Sequence, residues 1–232
     1  MCGDKIPLLK SGILLVDKPA GMTSFGVVAR VRRVLSEQAT AEAGERRKVK
    51  VGHAGTLDPF ATGLLLLLVG KGTKRATELL KLNKEYIATL RLGQKSSTGD
   101  PEGEIVQVNN LVPGDDNIEA VLSQFIGEVK QRPPIYSAIK IDGKRAYKLA
   151  REGKEVEMPE RVVRITSIEV LEYEYPRLVL KVRCGSGTYI RTLAEDIGGV
   201  LGCGAYLTDL WRTEVGEYRV EDAVKLEELG IN

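Results

Sequence analysis

Hydrophobic positions along the 232 residues fall into short blocks of changing period. Gly12 to Val16 is a continuous apolar run closed by Asp17-Lys18-Pro19, and reads as a buried strand. Val27, Val28, Val31, Val34 and Leu35 then recur at helical spacing, behind Thr23 or Ser24 as the cap. Ser36 to Arg47 breaks that period and reads as an extended helix end or a loop. Leu64 to Val69 is apolar enough to be wholly buried, and Lys74 to Leu82 suits a short helix. Tyr86, Ala88, Leu90 and Leu92 alternate with more polar neighbours, which predicts a strand with one buried face.

Further along, Glu104 to Val108 predicts a strand after a polar loop over Ser96 to Gly103. Ile118, Val121, Leu122 and Phe125 have helical spacing. Gly127 to Tyr136 carries Pro133-Pro134 and should be extended. Lys144 to Glu152 predicts a basic helix stopped by Gly153. Val162 to Tyr173 and Leu178 to Cys184 predict two strands joined around Pro176. Thr188 to Leu201 predicts a helix, Tyr206 to Val215 a strand, and Val224 to Leu229 a short terminal helix. Helices and strands mix without regular β-α-β alternation, so the expected class is α+β with a mixed, largely antiparallel sheet flanked by helices.

Composition narrows the class without naming a function. Hydrophobic content of 43% and charged content of 28% suit a globular domain. The apolar runs are too short to span a membrane, and the first residues lack an apolar stretch of signal-peptide length. Three cysteines and one histidine, without metal-ligand spacing, argue against a structural zinc site and for a reduced cytoplasmic setting. Net charge is only +2, but its distribution is uneven. Lys130 to Lys154 carries eight basic residues against two acids, whereas Glu214 to Glu228 carries six acids against two bases. Such a segment either tracks phosphates or is a solvated face.

The candidate chemistry centres on Val51-Gly52-His53-Ala54-Gly55-Thr56-Leu57-Asp58-Pro59-Phe60-Ala61-Thr62-Gly63. It holds the only histidine and one carboxylate among turn-forming residues, directly before the apolar run. A loop anchored in this way suits catalytic groups, although Asp58 before Pro59 also suits a purely structural turn. Arg46, Arg47 and Lys48 lead straight into it, either drawing RNA there or lying in an exposed loop.

GHAGTLDPFATG resembles the catalytic motif of the TruB-type pseudouridine synthases. Three more stretches match that family in order. They are GILLVDKPAGMTSFGVV (residues 12–28), Lys84-Glu85-Tyr86 with Arg91-Leu92-Gly93, and Gly187-Thr188-Tyr189-Ile190-Arg191-Thr192-Leu193. The resemblance implies a single catalytic domain over residues 1–232, with a central active-site cleft and a thumb-like insertion of about 130–159. It implies conversion of a T-loop uridine of tRNA (position 55) to pseudouridine after base flipping, with no cofactor and no metal.

In that reading Asp58 is the essential carboxylate, Arg191 the guanidinium that pairs with it, and Tyr86 the aromatic that stacks on the uracil. Tyr189 and Leu210 line the uracil pocket, His53 contacts displaced nucleotides, and Lys18 and Lys74 organise the neighbourhood or reach phosphates. Lys140, Lys144, Arg145, Lys148 and Arg151 would clamp the RNA. Two departures stand out. Ser97 occupies a position that is often acidic in the family, so what that acid supports is either absent or supplied by Asp100, and no separate C-terminal RNA-binding domain is expected. The expected enzyme is a cytoplasmic monomer that works on the T arm without a guide RNA or a membrane. The alternatives are a tRNA-binding or folding module with weak or lost isomerase activity, and a hydrolase of N-glycosidic bonds.

Overall fold

The computed structural model describes residues 11–137, 139–141, 143–152 and 157–231. The side chains of Lys140, Arg145, Tyr147, Lys148 and Arg151 lie outside the described residues, and with them four of the five expected clamp groups. In chain order the elements are β1 (Gly12–Lys18), α1 (Ser24–Ala43), β2 (Val51–His53), β3 (Thr62–Val69), α2 (Ala76–Leu80), β4 (Lys84–Leu92), β5 (Gln94–Ser96) and β6 (Ile105–Gln107). There follow α3 (Asp115–Ser123), β7 (Gly127–Gln131), β8 (Lys140–Ile141), β9 (Lys144–Arg145), α4 (Ala146–Arg151), β10 (Arg161–Glu174), β11 (Arg177–Cys184), α5 (Ile190–Val200), β12 (Ala205–Val215) and β13 (Tyr218–Arg219). The chain divides into two compact units, residues 1–85 with 211–232, and residues 86–210.

In the first unit β3 is the central strand. β1 pairs with it antiparallel from Gly12↔Val69 to Lys18↔Gly63, and β2 pairs with it from Val51↔Val69 to His53↔Leu67. The end of β12 runs parallel to its start, at Trp211↔Thr62 and Arg212↔Gly63. The continuous apolar run has a physical reason. Leu65, Leu67 and Val69 point to one face and pack with Val16, Val27, Val28, Val31 and Leu35. Leu64, Leu66 and Leu68 point to the other and pack with Ala54, Leu79, Val215 and Val220. A strand covered on both faces cannot alternate.

The second unit is largely antiparallel. Its strands lie in the order β12, β4, β11, β10, β7. β10 and β11 form a long hairpin with register shifts at Ile165/Ser167 and Val170/Glu172, and β7 pairs with the first half of β10. The mixed, mostly antiparallel sheet matches the expected class.

Several boundaries differ from the sequence reading, each for a local reason. α1 runs on to Ala43 because Ser36 and Thr40 bond back to the carbonyls of Arg32 and Ser36, and Gly44 ends it in a left-handed cap. Thr23 is the cap, accepting from the Gly26 N–H. Lys74 lies in a 3-10 turn over Gly70–Arg75, and α2 begins only afterwards. Lys144 and Arg145 pair with Ile141 and Lys140 in a small hairpin, so the basic helix starts at Ala146. The terminal helix is reduced to a 3-10 turn over Glu227–Leu229. Among the described residues no helix is long and apolar enough to cross a membrane, and no cluster of three metal-ligating side chains occurs.

Candidate active site

The Asp58 loop is braced from three sides within the first unit. Ser24, at the start of α1, donates its hydroxyl to the Leu57 carbonyl (2.9 Å) and accepts from the Leu57 N–H (2.8 Å). Lys18, at the end of β1, is fully buried. Its ammonium donates to the carbonyls of Pro19 (2.8 Å), Met22 (2.7 Å) and Pro59 (3.1 Å), so its three N–H groups join the β1–α1 turn to the residue after Asp58. Arg212, on β12, is 1% exposed and donates to the carbonyls of Leu64 (2.7 Å), Thr56 (3.4 Å) and Gly55 (3.2 Å). Asp58 itself is half-buried between these anchors.

Close approach makes this bracing possible. Gly63 has φ +96, and a Cβ there would lie 2.4 Å from the Arg212 carbonyl oxygen and 2.6 Å from Trp211 Cδ1. Only glycine lets β12 settle against β3 and deliver the Arg212 guanidinium beneath the loop.

Electrostatics couple the three charges. Burial pushes the Lys18 ammonium down to about 8, against the attraction of Asp58, while Arg212 repels it and pushes the same way. Between pH 8 and the ordinary lysine range the unfolded chain therefore holds the extra proton, so this group's contribution to stability rises with pH across that window. In urea titrations the wild type should gain stability relative to Lys18→Met as pH is raised from about 8 to about 10. A difference that is flat with pH would refute the downward shift of the Lys18 ammonium.

The other expected residues of this unit are placed differently. His53 ends β2 opposite Leu67 and is half-buried. Lys74 is exposed on the 3-10 turn that follows β3, so the length of that strand separates it from the Asp58 loop.

In the second unit Arg191 occupies the first turn of α5 and is buried. Its guanidinium donates to Asp100 Oδ2 (3.2 Å) and to the carbonyls of Thr98 (3.1 Å) and Tyr136 (3.0 Å). Asp100 is buried too, and it receives the Thr98 hydroxyl and the Glu102 N–H. The loop that holds Ser97 thus has its own acid, three residues on, already paired with Arg191. Asp100→Asn should weaken that grip by about 1–3 kcal/mol, read as a lower urea midpoint. An unchanged midpoint would make the pair incidental.

Tyr189 precedes α5 and is held by Gln131, which exchanges hydrogen bonds with its N–H (3.0 Å) and carbonyl (3.2 Å). The Arg161 guanidinium lies 4.7 Å from the Tyr189 ring centre. Thr192 bonds the Arg132 carbonyl (3.3 Å), so α5 is tied at three points to the root of the expected thumb. Along that root runs a groove of about 1060 Å³ whose lining includes Lys130, Arg132, Glu195 and Asp196. Burial raises both of these carboxyls above the usual range. Tyr86 on β4 and Leu210 on β12 are buried at 8% and 5% exposure. Lys144 is exposed on β9.

The sequence reading missed Arg212, Ser24, Gln131 and Arg161. A signal existed for Arg212, which shares the inward parity of Leu210 in an alternating strand, where a lone base has to be paired.

The chain matches two family models. One, described as the N-terminal domain of TruB family pseudouridylate synthase, covers residues 43–190. The other, described as the tRNA pseudouridylate synthase B C-terminal domain, covers residues 191–231. A Pseudomonas putida protein named tRNA pseudouridine synthase B is 47% identical over 219 residues, covering 94% of this chain and 68% of the relative. A Desulfotalea psychrophila protein of the same name is 50% identical over 221 residues, covering 92% and 85%. Among solved structures, a chain of a Cbf5-Nop10-Gar1 complex superposes with a TM-score of 0.69 at 32% identity, covering 95% of this chain and 54% of that one. A chain of an H/ACA RNP bound to a substrate RNA containing 2′-deoxyuridine gives 0.67 at 29% identity, covering 95% and 52%. The chain thus spans about half the length of those solved chains. With four motifs in order, a braced Asp58 loop and family models over both parts, the chain belongs to the TruB family of tRNA pseudouridine synthases, which are isomerases of uridine.

Proposed function

We propose that this chain isomerises the T-loop uridine at position 55 of tRNA, with Asp58 as the essential carboxylate. The observation that carries the proposal is the Asp58 loop itself. A half-buried carboxylate sits on a loop whose carbonyls on either side are held by a buried ammonium and a buried guanidinium, in the motif that marks the family. Such a group is preorganised to act on C1′, on C6 of the base or on the C2′ proton. The reaction breaks the C1′–N1 bond, turns the uracil and joins C5 to C1′. The C5 proton leaves, N1 gains one, and mass is unchanged.

Arg191 is the partner guanidinium, made rigid by Asp100 and two carbonyls. Tyr86 stacks on the flipped base, Tyr189 and Leu210 wall the pocket, and His53 braces the displaced nucleotides. Lys18 organises the loop from below, and Lys74 reaches a backbone phosphate. Lys140, Lys144, Arg145, Lys148 and Arg151 hold the T arm by its phosphates. The enzyme works as a cytoplasmic monomer without a guide RNA. In support, identity is 44–50% to relatives named tRNA pseudouridine synthase B, against 29–32% to chains of the Cbf5-Nop10-Gar1 and H/ACA RNP complexes.

The test is tritium release from C5-labelled uridine in an unmodified tRNA transcript, with the product nucleoside weighed by mass spectrometry. Release with unchanged nucleoside mass is the expected result. Free uracil would instead identify a glycosidic hydrolase, and tight binding without release a folding module.

A further inference from the structure

A second candidate surface lies on the outer face of α1. Phe25, Ala29, Arg32, Arg33, Ser36 and Thr40 recur at helical spacing along it. The chain then turns at Gly44 and comes back along the same face. Thr40 Oγ1 accepts the Arg47 N–H (2.9 Å), and Ser36 Oγ accepts the Val49 N–H (3.1 Å). These bonds hold the returning segment beside the helix and leave a groove of about 960 Å³. Arg32, Arg33, Arg46, Arg47, Lys48 and Lys50 line it, and all six are exposed. Glu37 is the carboxylate of the lining, while Glu45 pairs with Arg47 at the rim.

The end of this feature away from the Gly44 turn leads to the Asp58 loop within the same unit, by two routes. Along the chain Lys50 runs directly into β2. On α1 the Arg32 guanidinium lies 6.0 Å from the Phe25 ring centre. Phe25 is 65% exposed, and its neighbour Ser24 holds Leu57. Cations in a row beside an open aromatic ring are what an unpaired nucleic-acid strand needs, since charge meets phosphate and the ring meets a base. An acidic peptide would use the charges and leave Phe25 idle.

We propose that this groove is a further RNA-binding site, in which a sugar–phosphate strand of the tRNA lies against α1 beside the Asp58 loop and one unstacked base rests on Phe25. The proposal rests on the tRNA reading given above. It adds a contact distinct from the expected clamp in the second unit, built on the extension of α1 and the segment that returns along it.

The test is binding of an unmodified tRNA transcript to the triple variant Arg33→Ala/Arg46→Ala/Lys48→Ala, measured from about 50 to about 200 mM salt. Kd should rise about tenfold at moderate salt, and the slope of log Kd against log salt should fall by about 2, because each lost phosphate contact removes about 0.7–0.9. Lysine at positions 33 and 46 should restore the slope. Phe25→Ala should raise Kd about tenfold with the slope unchanged, and Phe25→Trp should hold wild-type affinity. The substituted groups are exposed, so wild-type melting temperatures are expected throughout. Wild-type Kd and slope in the triple variant overturn the proposal, as does a higher Kd with an unaltered slope. Tritium release by the unaltered enzyme is run alongside. Its absence, with binding lost in the triple variant, would sink the isomerase reading and leave the groove standing.

Discussion

Asp58→Ala is expected to abolish tritium release while leaving most of the tRNA affinity. The carboxylate is the reacting group of the proposed chemistry, so turnover should fall to background. The rest of the loop depends on other atoms. Leu57 is held by Ser24, the Pro59 carbonyl by Lys18, and the Gly55 and Thr56 carbonyls by Arg212. None of those bonds uses the Asp58 side chain. The variant should therefore fold, and its Kd should stay within a fewfold of wild type, because phosphate contacts supply most of the binding. Burst measurements at saturating tRNA separate the two effects. Turnover above one-tenth of wild type would remove Asp58 from the chemistry, and a lost Kd would make it a binding residue.

Arg212→Ala should damage both stability and rate. Three carbonyls, those of Gly55, Thr56 and Leu64, lose a buried donor. At about 1–3 kcal/mol each, with partial relaxation, the urea-derived stability should fall by about 3–5 kcal/mol. The loop that carries Asp58 loses its floor, and a displacement of about 1 Å can cost about a hundredfold in rate. Arg212→Lys should be intermediate, since one ammonium cannot present the planar fork that reaches three carbonyls from one position. A second readout is specific to the charge. Arg212 repels Lys18, so its removal should move the Lys18 titration upward from about 8. Wild-type stability and rate in Arg212→Ala would refute the bracing role, and an unmoved titration would refute the coupling.

Much of this was legible in the linear chain. The run Leu64 to Val69 announced a buried segment, and Tyr86 to Leu92 a strand with one buried face. The Asp58 motif and the Arg191 motif stood out by residue type and order. What stayed hidden was partnership. Asp100 could be suspected as a stand-in beside Ser97, but its bond to Arg191 joins residues far apart in sequence. Arg212 carried only its parity as a signal, because composition does not say that β12 pairs beside β3. The polar stretch after Leu35 read ambiguously as helix or loop, since its hydroxyls bond to the backbone rather than to a core.

The sequence by itself determined the class of fold, the family and the residue types available for chemistry, because local periodicity and motif order are properties of neighbours along the chain. Only the tertiary structure decided which buried charges surround the Asp58 loop. It brought Lys18 from β1 and Arg212 from β12 to opposite flanks of residues 55–59, and it closed the returning segment on α1 into a basic groove. Desolvation and hydrogen bonding act through space, and the distances that set them exist only once the strands have paired.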